Sequence, residues 1–336
     1  MAANLRLTID TAALAANWRS CAQASGSATT GAAVKANAYG LGAQTVVDTL
    51  AKAGCRDFFV ATWDEATALT MPVGTRLAVL HGVQTDEMPT ALASDVIPVL
   101  CTPRQVAAWR DAAPGRRCDV MIDTGMNRLG LAITDIDLLT DLDIDVLHSH
   151  LACAETPTSP HNMMQAATLR AVAAAVPARR VALANSAGIR LGTDYRFDLT
   201  RPGLALYGGG DGMTPVVRLS ARVIQVREVP AGASVGYGAT WTARRPSRIA
   251  VLNLGYADGY PRALSNTGHV VALGIRCPVV GRVSMDLIAA DVTGSVVDEG
   301  DWLDLDFDLA TTALAAGISQ YELLTGLGHR YARTYE

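Results

Sequence analysis

The feature that most constrains the fold of this chain is an alternation of short apolar runs with longer amphipathic stretches, from residue 31 to about residue 208. Strands that alternate with helices form parallel βαβ units. Eight strands within about 180 residues favour a (β/α)8 barrel over an open doubly wound sheet. The predicted strands are Ala32–Lys35, Asp57–Ala61, Leu77–His81, Val96–Leu100, Cys118–Ile122, Asp145–His150, Val181–Ala184 and Leu204–Tyr207. The helical patterns between them include Ala43–Ala53, Thr102–Asp111, Asp135–Leu142 and His161–Val176.

The pattern changes after the glycine-rich segment 208–212, where β-branched runs follow one another without a long helical stretch. These runs are Val216–Val229, Arg248–Leu254, His269–Leu273, Arg276–Val280 and Ser284–Val292, with one short helix near Ala310–Leu324. We therefore predict an α/β protein, with a TIM barrel in residues 1–212 followed by a mostly-β domain in residues 213–336. The isolated strand Leu5–Asp10 can pair with the β domain rather than with the barrel.

Composition narrows the class of protein. There is no apolar run long enough to span a bilayer, and the first ten residues lack the apolar region of a secretory signal. The net charge is −4 and the arginines are scattered, so no basic stripe indicates nucleic acid. The six cysteines include no Cys-x-x-Cys motif and are predicted to be reduced thiols. We expect a cytoplasmic protein with neither nucleic-acid nor membrane partners.

Only two of the 28 lysines and arginines are lysines, Lys35 and Lys52. A coding bias toward arginine explains the shortage, but a lysine that remains can do what arginine cannot, because its amine can lose a proton and form a Schiff base. Lys35 ends the first predicted strand, at the end of the barrel where active sites lie. Burial there would lower its pKa, although a salt bridge at the barrel rim is an alternative role. Lys52 ends a helical stretch and complements the helix dipole.

Polar residues also follow the later strands. The segment His148-Ser149-His150 places two histidines on one strand face, but no acidic or cysteine cluster completes a shell, so we predict no metal site. The segment 185–188, Asn-Ser-Ala-Gly, can bind a phosphate or simply cap a helix. In the β region, Tyr237 and Tyr256 lie between glycines, which is typical of packing or turn residues as well as of functional ones.

Taken together, six segments resemble motifs of the alanine racemase family, in the family's order. They are Ala33–Gly40, Asp123–Gly130, Arg201–Gly208, Gly238–Thr240, Gly255–Gly259 and Gly281–Asp286. The resemblance implies an isomerase that interconverts L-alanine and D-alanine on pyridoxal 5'-phosphate, supplying D-alanine for peptidoglycan. It also implies a homodimer with shared active sites.

The resemblance further implies a role for each matching residue. Lys35 would carry the cofactor as an imine and act as one base, and Tyr237 of the partner subunit would be the second. Arg201 would face the pyridine nitrogen and His150 the cofactor ring. The cofactor phosphate would be held by Tyr39, Ser186, Gly203, Leu204 and Tyr321. The substrate carboxylate would be bound by Arg128 and the backbone of Met285, with Tyr256 at the entrance and Asp286 beside the site.

Two positions depart from the family pattern. Many members have a lysine, carbamylated by carbon dioxide, where this chain has Met121, so the orientation of Arg128 must have another source. Leu41 replaces the usual histidine, which we expect to be harmless. Serine and broad-specificity racemases resemble the family closely and remain an alternative. A non-catalytic pyridoxal-phosphate-binding barrel lacks a β domain, a related decarboxylase lacks these motifs, and a metal-dependent hydrolase would need a metal shell.

Overall fold

The computed structural model describes residues 3–336. These residues form two compact units. One is Leu14–Thr214, and the other combines the N-terminal strand with Pro215–Glu336. In the described part of the chain, no helix is both long enough and apolar enough to cross a membrane.

The first unit consists of parallel strands separated by helices. Its strands are β2 (Thr29–Thr30), β3 (Ala32–Ala33), β4 (Asp57–Val60), β5 (Arg76–Val79), β6 (Ile97–Leu100), β7 (Cys118–Met121), β8 (Ile144–His148), β9 (Ala178–Ala182) and β10 (Leu199–Thr200). Its helical segments are α2 (Lys35–Tyr39), whose last four residues are left-handed, α3 (Ala43–Ala53), α4 (Trp63–Thr67), α5 (Met88–Leu92), α6 (Pro103–Ala112), α7 (Pro160–Ala175) and α8 (Ser186–Arg190), and α1 (Thr11–Ser25) leads into it. Short 3-10 helices span Ile133–Leu139, Thr193–Tyr195 and Leu204–Tyr207.

The parallel sheet closes on itself through its first strand. The nine strands lie in the order β2-β10-β9-β8-β7-β6-β5-β4-β3, and β2 and β3 are consecutive pieces of one segment interrupted at Gly31. On one side, Gly31 N donates to Thr200 O and Ala33 N to Pro202 O, both at 2.9 Å. On the other side, Val34 N donates to Phe59 O at 2.8 Å. One segment thus pairs with both neighbours, and the predicted (β/α)8 barrel is confirmed.

One predicted strand is wrong. The eighth barrel strand is β10, which ends directly before Arg201, whereas Leu204–Tyr207 is a 3-10 helix. Pro202 has no N–H to donate to a sheet, and Gly203 (φ −128°, ψ −82°) turns the chain. All four residues of the apolar run are buried, so the run gives the same signal in a strand or a helix. The segment predicted as helix Asp135–Leu142 is also a 3-10 helix, Ile133–Leu139.

The barrel interior has an apolar layer and a charged one. Nearly every strand contributes to a buried apolar cluster of Phe59, Ala78, Val99, Cys101, Met121, Val146, Ala182 and Leu199. Below it, Arg76 forms ion pairs with Asp57, Asp119 and Asp145. Arg180 pairs with Asp57 and Asp145 at 2.9 Å each. Buried charges are retained only when they are paired, as they are here.

The second unit is built around one long strand. Its strands are β1 (Leu5–Ile9), β11 (Val217–Val229), β12 (Ser234–Val235), β13 (Trp241–Thr242), β14 (Ser247–Leu252), β15 (His269–Ala272), β16 (Ile275–Pro278), β17 (Ile288–Asp291), β18 (Trp302–Leu305) and β19 (Ala332–Tyr335). Strand β11 pairs antiparallel with β1, β14 and β18, and β1 also pairs in parallel with β19. The single helix predicted near Ala310–Leu324 is two, α9 (Leu309–Ala316) and α10 (Gln320–Thr325). Gly317, at φ 68°, ends the first, and Ser319 caps the second.

Candidate active site

The candidate residues of the barrel follow the carboxyl ends of its strands. Lys35 comes after β3, Arg128 lies in the loop after β7, and His150 follows β8. Ser186 follows β9, and Arg201 directly follows β10. With β10 as the eighth strand, Arg201 also follows the carboxyl end of a strand, like the other candidate residues. The active sites of such barrels lie at this end.

Lys35 begins an unusual turn. The next four residues, Ala36, Asn37, Ala38 and Tyr39, have φ values of 53°, 53°, 52° and 56°. This left-handed conformation costs roughly 1–2 kcal/mol for each residue other than glycine. The turn is held at its start by Glu65, whose Oε1 accepts from Ala36 N at 2.6 Å, and further on by Asn37 Oδ1, which accepts from Ala43 N at 2.8 Å. A strained turn of this kind, held by its surroundings, is typical of functional sites.

The Lys35 amine lies in a cationic environment. Part of the Lys35 side chain is exposed at the barrel mouth. Desolvation of the amine by the surrounding protein, and then the charge of the nearby Arg128, lower its pKa below the usual 10.5. Arg201 lowers it further, whereas Glu65 acts in the opposite direction. The amine therefore gives up its proton more readily than an ordinary lysine.

His150 belongs to the same cluster. Burial, then Arg201, Arg128 and Lys35, lower its pKa to about 3, so the imidazole is neutral near pH 7. The structure thus brings four of the predicted barrel residues together: Lys35, Arg128, His150 and Arg201.

Arg201 is held by residues that the sequence did not assign to it. Its Nη1 donates to Nδ1 of His148 at 3.1 Å, and Nε2 of His148 lies 2.8 Å from Oδ2 of Asp119. Burial lowers the pKa of His148 to about 4, and Arg76 and His148 lower that of Asp119 against the effect of burial. A neutral imidazole beside an ionised carboxylate carries its proton on Nε2, which leaves Nδ1 to accept from Arg201. Both ring nitrogens of His148 are therefore used within the protein.

One donor of Arg201 is left over. Nη2 donates to the carbonyl oxygens of Ser149 and Leu183, but the buried Nε has no hydrogen-bond partner among residues 3–336. A buried donor without a partner is costly unless a ligand accepts from it. Burial lowers the pKa of Arg201 only to about 10, so the guanidinium remains charged near neutral pH.

A second set of donors surrounds Ser186. Its Oγ accepts from Gly203 N at 3.0 Å and from Ala205 N at 3.1 Å, while the neighbouring Asn185 caps α8 by accepting from Gly188 N. A Cβ at Gly203 would lie 2.3 Å from the hydroxyl oxygen of Tyr39, so a larger residue there would displace that hydroxyl. Because Ser186 Oγ accepts from two N–H groups, its own hydroxyl proton can be donated to an anion such as a phosphate. Leu204 begins the buried 3-10 helix beside them.

The loop that carries Arg128 is fixed by one carboxylate. Oδ1 of Asp123 accepts from Gly125 N and Met126 N at 2.9 Å and from Asn127 N at 3.1 Å. These bonds, opposed by burial, lower the pKa of Asp123. Met121 lies in the apolar layer of the barrel and is 7% exposed.

Five predicted residues lie in the second unit. Tyr256 N donates to Ser284 O and Ala257 N to Met285 O, both at 3.0 Å, which joins the Tyr256 and Met285 loops. Arg330 donates to both oxygens of the buried Asp258, at 2.6 and 2.8 Å, and to Asp286 at 2.7 Å. Tyr237 is 73% exposed, in a turn between two glycines of positive φ. Tyr321 lies in the first turn of α10.

Comparison with known proteins matches both units. The alanine racemase N-terminal domain matches residues 9–211, and the alanine racemase C-terminal domain matches residues 216–335. The chain belongs to the alanine racemase family. A biosynthetic alanine racemase of Agrobacterium fabrum is 44% identical over 99% of this chain and 94% of its own length. A catabolic alanine racemase of the same organism is also 44% identical, over 98% and 91%.

A solved alanine racemase has the same fold. The crystal structure of the Bartonella henselae enzyme, with covalently bound pyridoxal phosphate, superposes with a TM-score of 0.91 at 37% identity, and each chain is covered completely. The match extends through both the barrel and the β unit. Alanine racemase family membership therefore applies to the whole chain and not to the barrel alone.

Proposed function

We propose that this member of the alanine racemase family interconverts L-alanine and D-alanine, with pyridoxal 5'-phosphate attached to Lys35. The observation that supports it most is the position of Lys35, a lysine of lowered pKa at the end of the first barrel strand, beside two arginines. A lysine of lowered pKa gives up its proton more readily, which suits both covalent attachment and proton transfer.

The barrel residues suit this cofactor. The unpartnered Nε of Arg201 is a donor for the pyridine nitrogen, and His150 is neutral and can face the ring. The donors around Ser186 and Gly203, with Tyr39, Leu204 and Tyr321, are proposed to hold the phosphate. When bound, pyridoxal phosphate provides the electron sink for the charge left at the substrate Cα.

Arg201 also determines what the cofactor ring can do. Because its pKa stays near 10, Arg201 keeps its proton and can only donate. A ring nitrogen opposite it must then accept, and so stays unprotonated. An unprotonated ring withdraws electrons less strongly, which discourages side reactions such as transamination.

Racemisation requires a proton to leave one face of Cα and to return on the other. Lys35 Nζ is the proposed base on one face, and the hydroxyl of Tyr237 from the partner subunit is the base on the other. The strong exposure of Tyr237, on a glycine-flanked turn, supports a role toward another chain. In this proposal residues 1–212 carry Lys35 and most of the cofactor-binding residues, and residues 213–336 supply the second base to the other subunit of a homodimer.

The substrate carboxylate is proposed to bind Arg128 and the backbone of Met285. Asp123 fixes the Arg128 loop through three backbone N–H groups, which replaces part of the rigidity that a carbamylated lysine gives to relatives. Tyr256 would line the entrance, and Asp286, held by Arg330, would lie beside the site. We further propose a cytoplasmic enzyme that supplies D-alanine for peptidoglycan.

The decisive assay follows enantiomers in both directions. Purified protein with pyridoxal phosphate should convert L-alanine to D-alanine, and D-alanine to L-alanine, until the two are equal. L-Serine and larger amino acids tested at the same concentration separate an alanine enzyme from a broad-specificity one. Failure to racemise any amino acid, by protein that binds the cofactor, would leave the non-catalytic binding protein as the better description.

A further inference from the structure

Glu65 connects the turn after Lys35 to the neighbouring barrel strand. It lies in the first turn of α4, just after β4, and its own N–H donates to Thr62 Oγ1 at 3.3 Å. Its Oε1 accepts from Ala36 N at 2.6 Å, and its Oε2 accepts from Ala61 N at 2.7 Å. Each carboxylate oxygen is thus used by a different backbone segment at the mouth of the barrel.

These contacts act where the backbone most needs support. Ala36 is the first of the four residues in the left-handed turn, and Lys35 directly precedes it. The later part of the turn is held by Asn37, through Ala43 N, and by the close packing of Tyr39 against Gly203. Glu65 supplies the acceptor at the start of the turn. A change in backbone direction there would move the side chain of the adjacent Lys35.

The charge of Glu65 also opposes that of its neighbours. Arg128 and Arg201 both lower the pKa of Lys35, whereas Glu65 raises it. An amine facing only the two arginines would be a weaker proton acceptor.

We propose that Glu65 is a positioning residue for Lys35. It fixes the start of the turn that follows the lysine, and its negative charge offsets the positive charges of Arg128 and Arg201. The assignment rests on the proposed role of Lys35, but its test does not require racemase activity. Glu65→Gln keeps the length of the side chain, removes the charge and leaves one acceptor for two N–H groups. Glu65→Asp keeps the charge and shortens the reach.

The charge effect can be measured in the cofactor-free protein. Reductive methylation with isotope-labelled formaldehyde marks the amino terminus and only two side chains, Lys35 and Lys52, and NMR then follows their protonation. We expect a lower pKa for Lys35 in Glu65→Gln than in wild type, with Lys52 as the internal reference. Glu87→Gln is the matched control, because Glu87 also accepts a backbone N–H in the barrel, from Gln84. An unchanged Lys35 pKa in Glu65→Gln would contradict the charge balance.

The positioning effect appears in the rate at which cofactor attaches. Lys35 Nζ adds to the aldehyde carbon of pyridoxal phosphate, and water leaves as the C=N bond forms. At high pH the amine is deprotonated in every variant, so the limiting rate reports geometry alone. We expect a fall of roughly tenfold to a hundredfold in Glu65→Asp, and wild-type behaviour in Glu87→Gln. Equal limiting rates in Glu65→Asp and wild type would overturn the assignment, whereas no attachment even in wild type would instead refute the proposed function.

Discussion

Arg201 donates a hydrogen bond from Nη1 to Nδ1 of His148 over 3.1 Å, deep in the barrel. The bond depends on Asp119, which keeps the imidazole proton on Nε2, and Asp119 is in turn paired with Arg76. The orientation of Arg201 at the barrel mouth is therefore set by a chain of contacts that reaches down to the charged layer.

The loss of activity on replacing His148 should depend on whether the new side chain still offers an acceptor to Arg201. His148→Phe leaves a buried guanidinium group without one partner, a loss of about 1–3 kcal/mol. If this free energy is lost from the stabilisation of the transition state, kcat/KM for alanine drops about tenfold to a hundredfold. His148→Gln offers an amide oxygen and should lose less. Steady-state racemisation and thermal melting of both variants check this, and equal kcat/KM for Phe and wild type would show that the bond is not used.

The stability of the protein should fall in mildly acidic solution. Burial lowers the pKa of His148 to about 4 and of His150 to about 3, from 6.5 in an unperturbed histidine. As pH falls below about 6.5, the unfolded chain binds protons that the folded chain refuses, so the free energy of unfolding decreases. Asp119 and Asp123, whose pKa values are lowered, add a further loss only below about pH 3.8.

Thermal melting between about pH 7.5 and pH 5 isolates the histidine effect. His150→Asn should have a shallower pH dependence than wild type over this range. His161→Asn, at an exposed helix position, is the control and should not change it. A wild-type melting temperature that is flat from pH 7.5 to about pH 5 would contradict the lowered pKa values of the two rings.

Met121→Lys tests the missing carbamate. The substituted amine would enter the apolar layer of the barrel, so we expect a lower melting temperature and only a modest change in KM for alanine. Bicarbonate should alter the kinetics of this variant alone, because the wild type has no lysine there. Met121→Leu is the control for packing. A bicarbonate-dependent wild type would mean that Lys52, the remaining lysine, is modified and that the motif alignment is wrong.

The proposed sharing of the active site between two subunits predicts complementation. Homodimers of Lys35→Ala and of Tyr237→Phe should each be nearly inactive. After mixing and reassembly, half of the dimers are hybrids with one intact site of two, so roughly a quarter of wild-type activity should return. No recovery, from chains shown by sizing to exchange, would place both bases in one subunit.

The barrel and the residues at its rim could be predicted because strands that alternate with helices leave functional side chains at one end. The eighth strand was misplaced because the buried run Leu204–Tyr207 is as apolar as a barrel strand, although Pro202 and Gly203 turn the chain before it. The left-handed turn after Lys35 had no signal, because it contains no glycine until Gly40. Glu65 was missed because its partners are backbone N–H groups, of Ala36 in that turn and of Ala61 after β4, and such partners leave no pattern in the sequence.

The charged layer did have a signal in the sequence. Asp57, Asp119 and Asp145 each occupy the first or second position of a buried strand, where an acidic side chain must find a partner. His148 was considered only as a metal ligand, because its partners Asp119 and Arg201 come from distant segments. The roles of the second-unit residues came from the family resemblance alone, since glycine-flanked tyrosines are equally common in ordinary turns.

The most direct test of the account is to locate the cofactor on the chain. Purified protein should be yellow, and borohydride reduction followed by peptide mapping should place the cofactor on Lys35, with Lys52→Arg giving the same label. Because the chain has only two lysines, the result is unambiguous. Label on Lys35 alone is the predicted outcome, and label on Lys52, or none, would contradict the assignment of the active site.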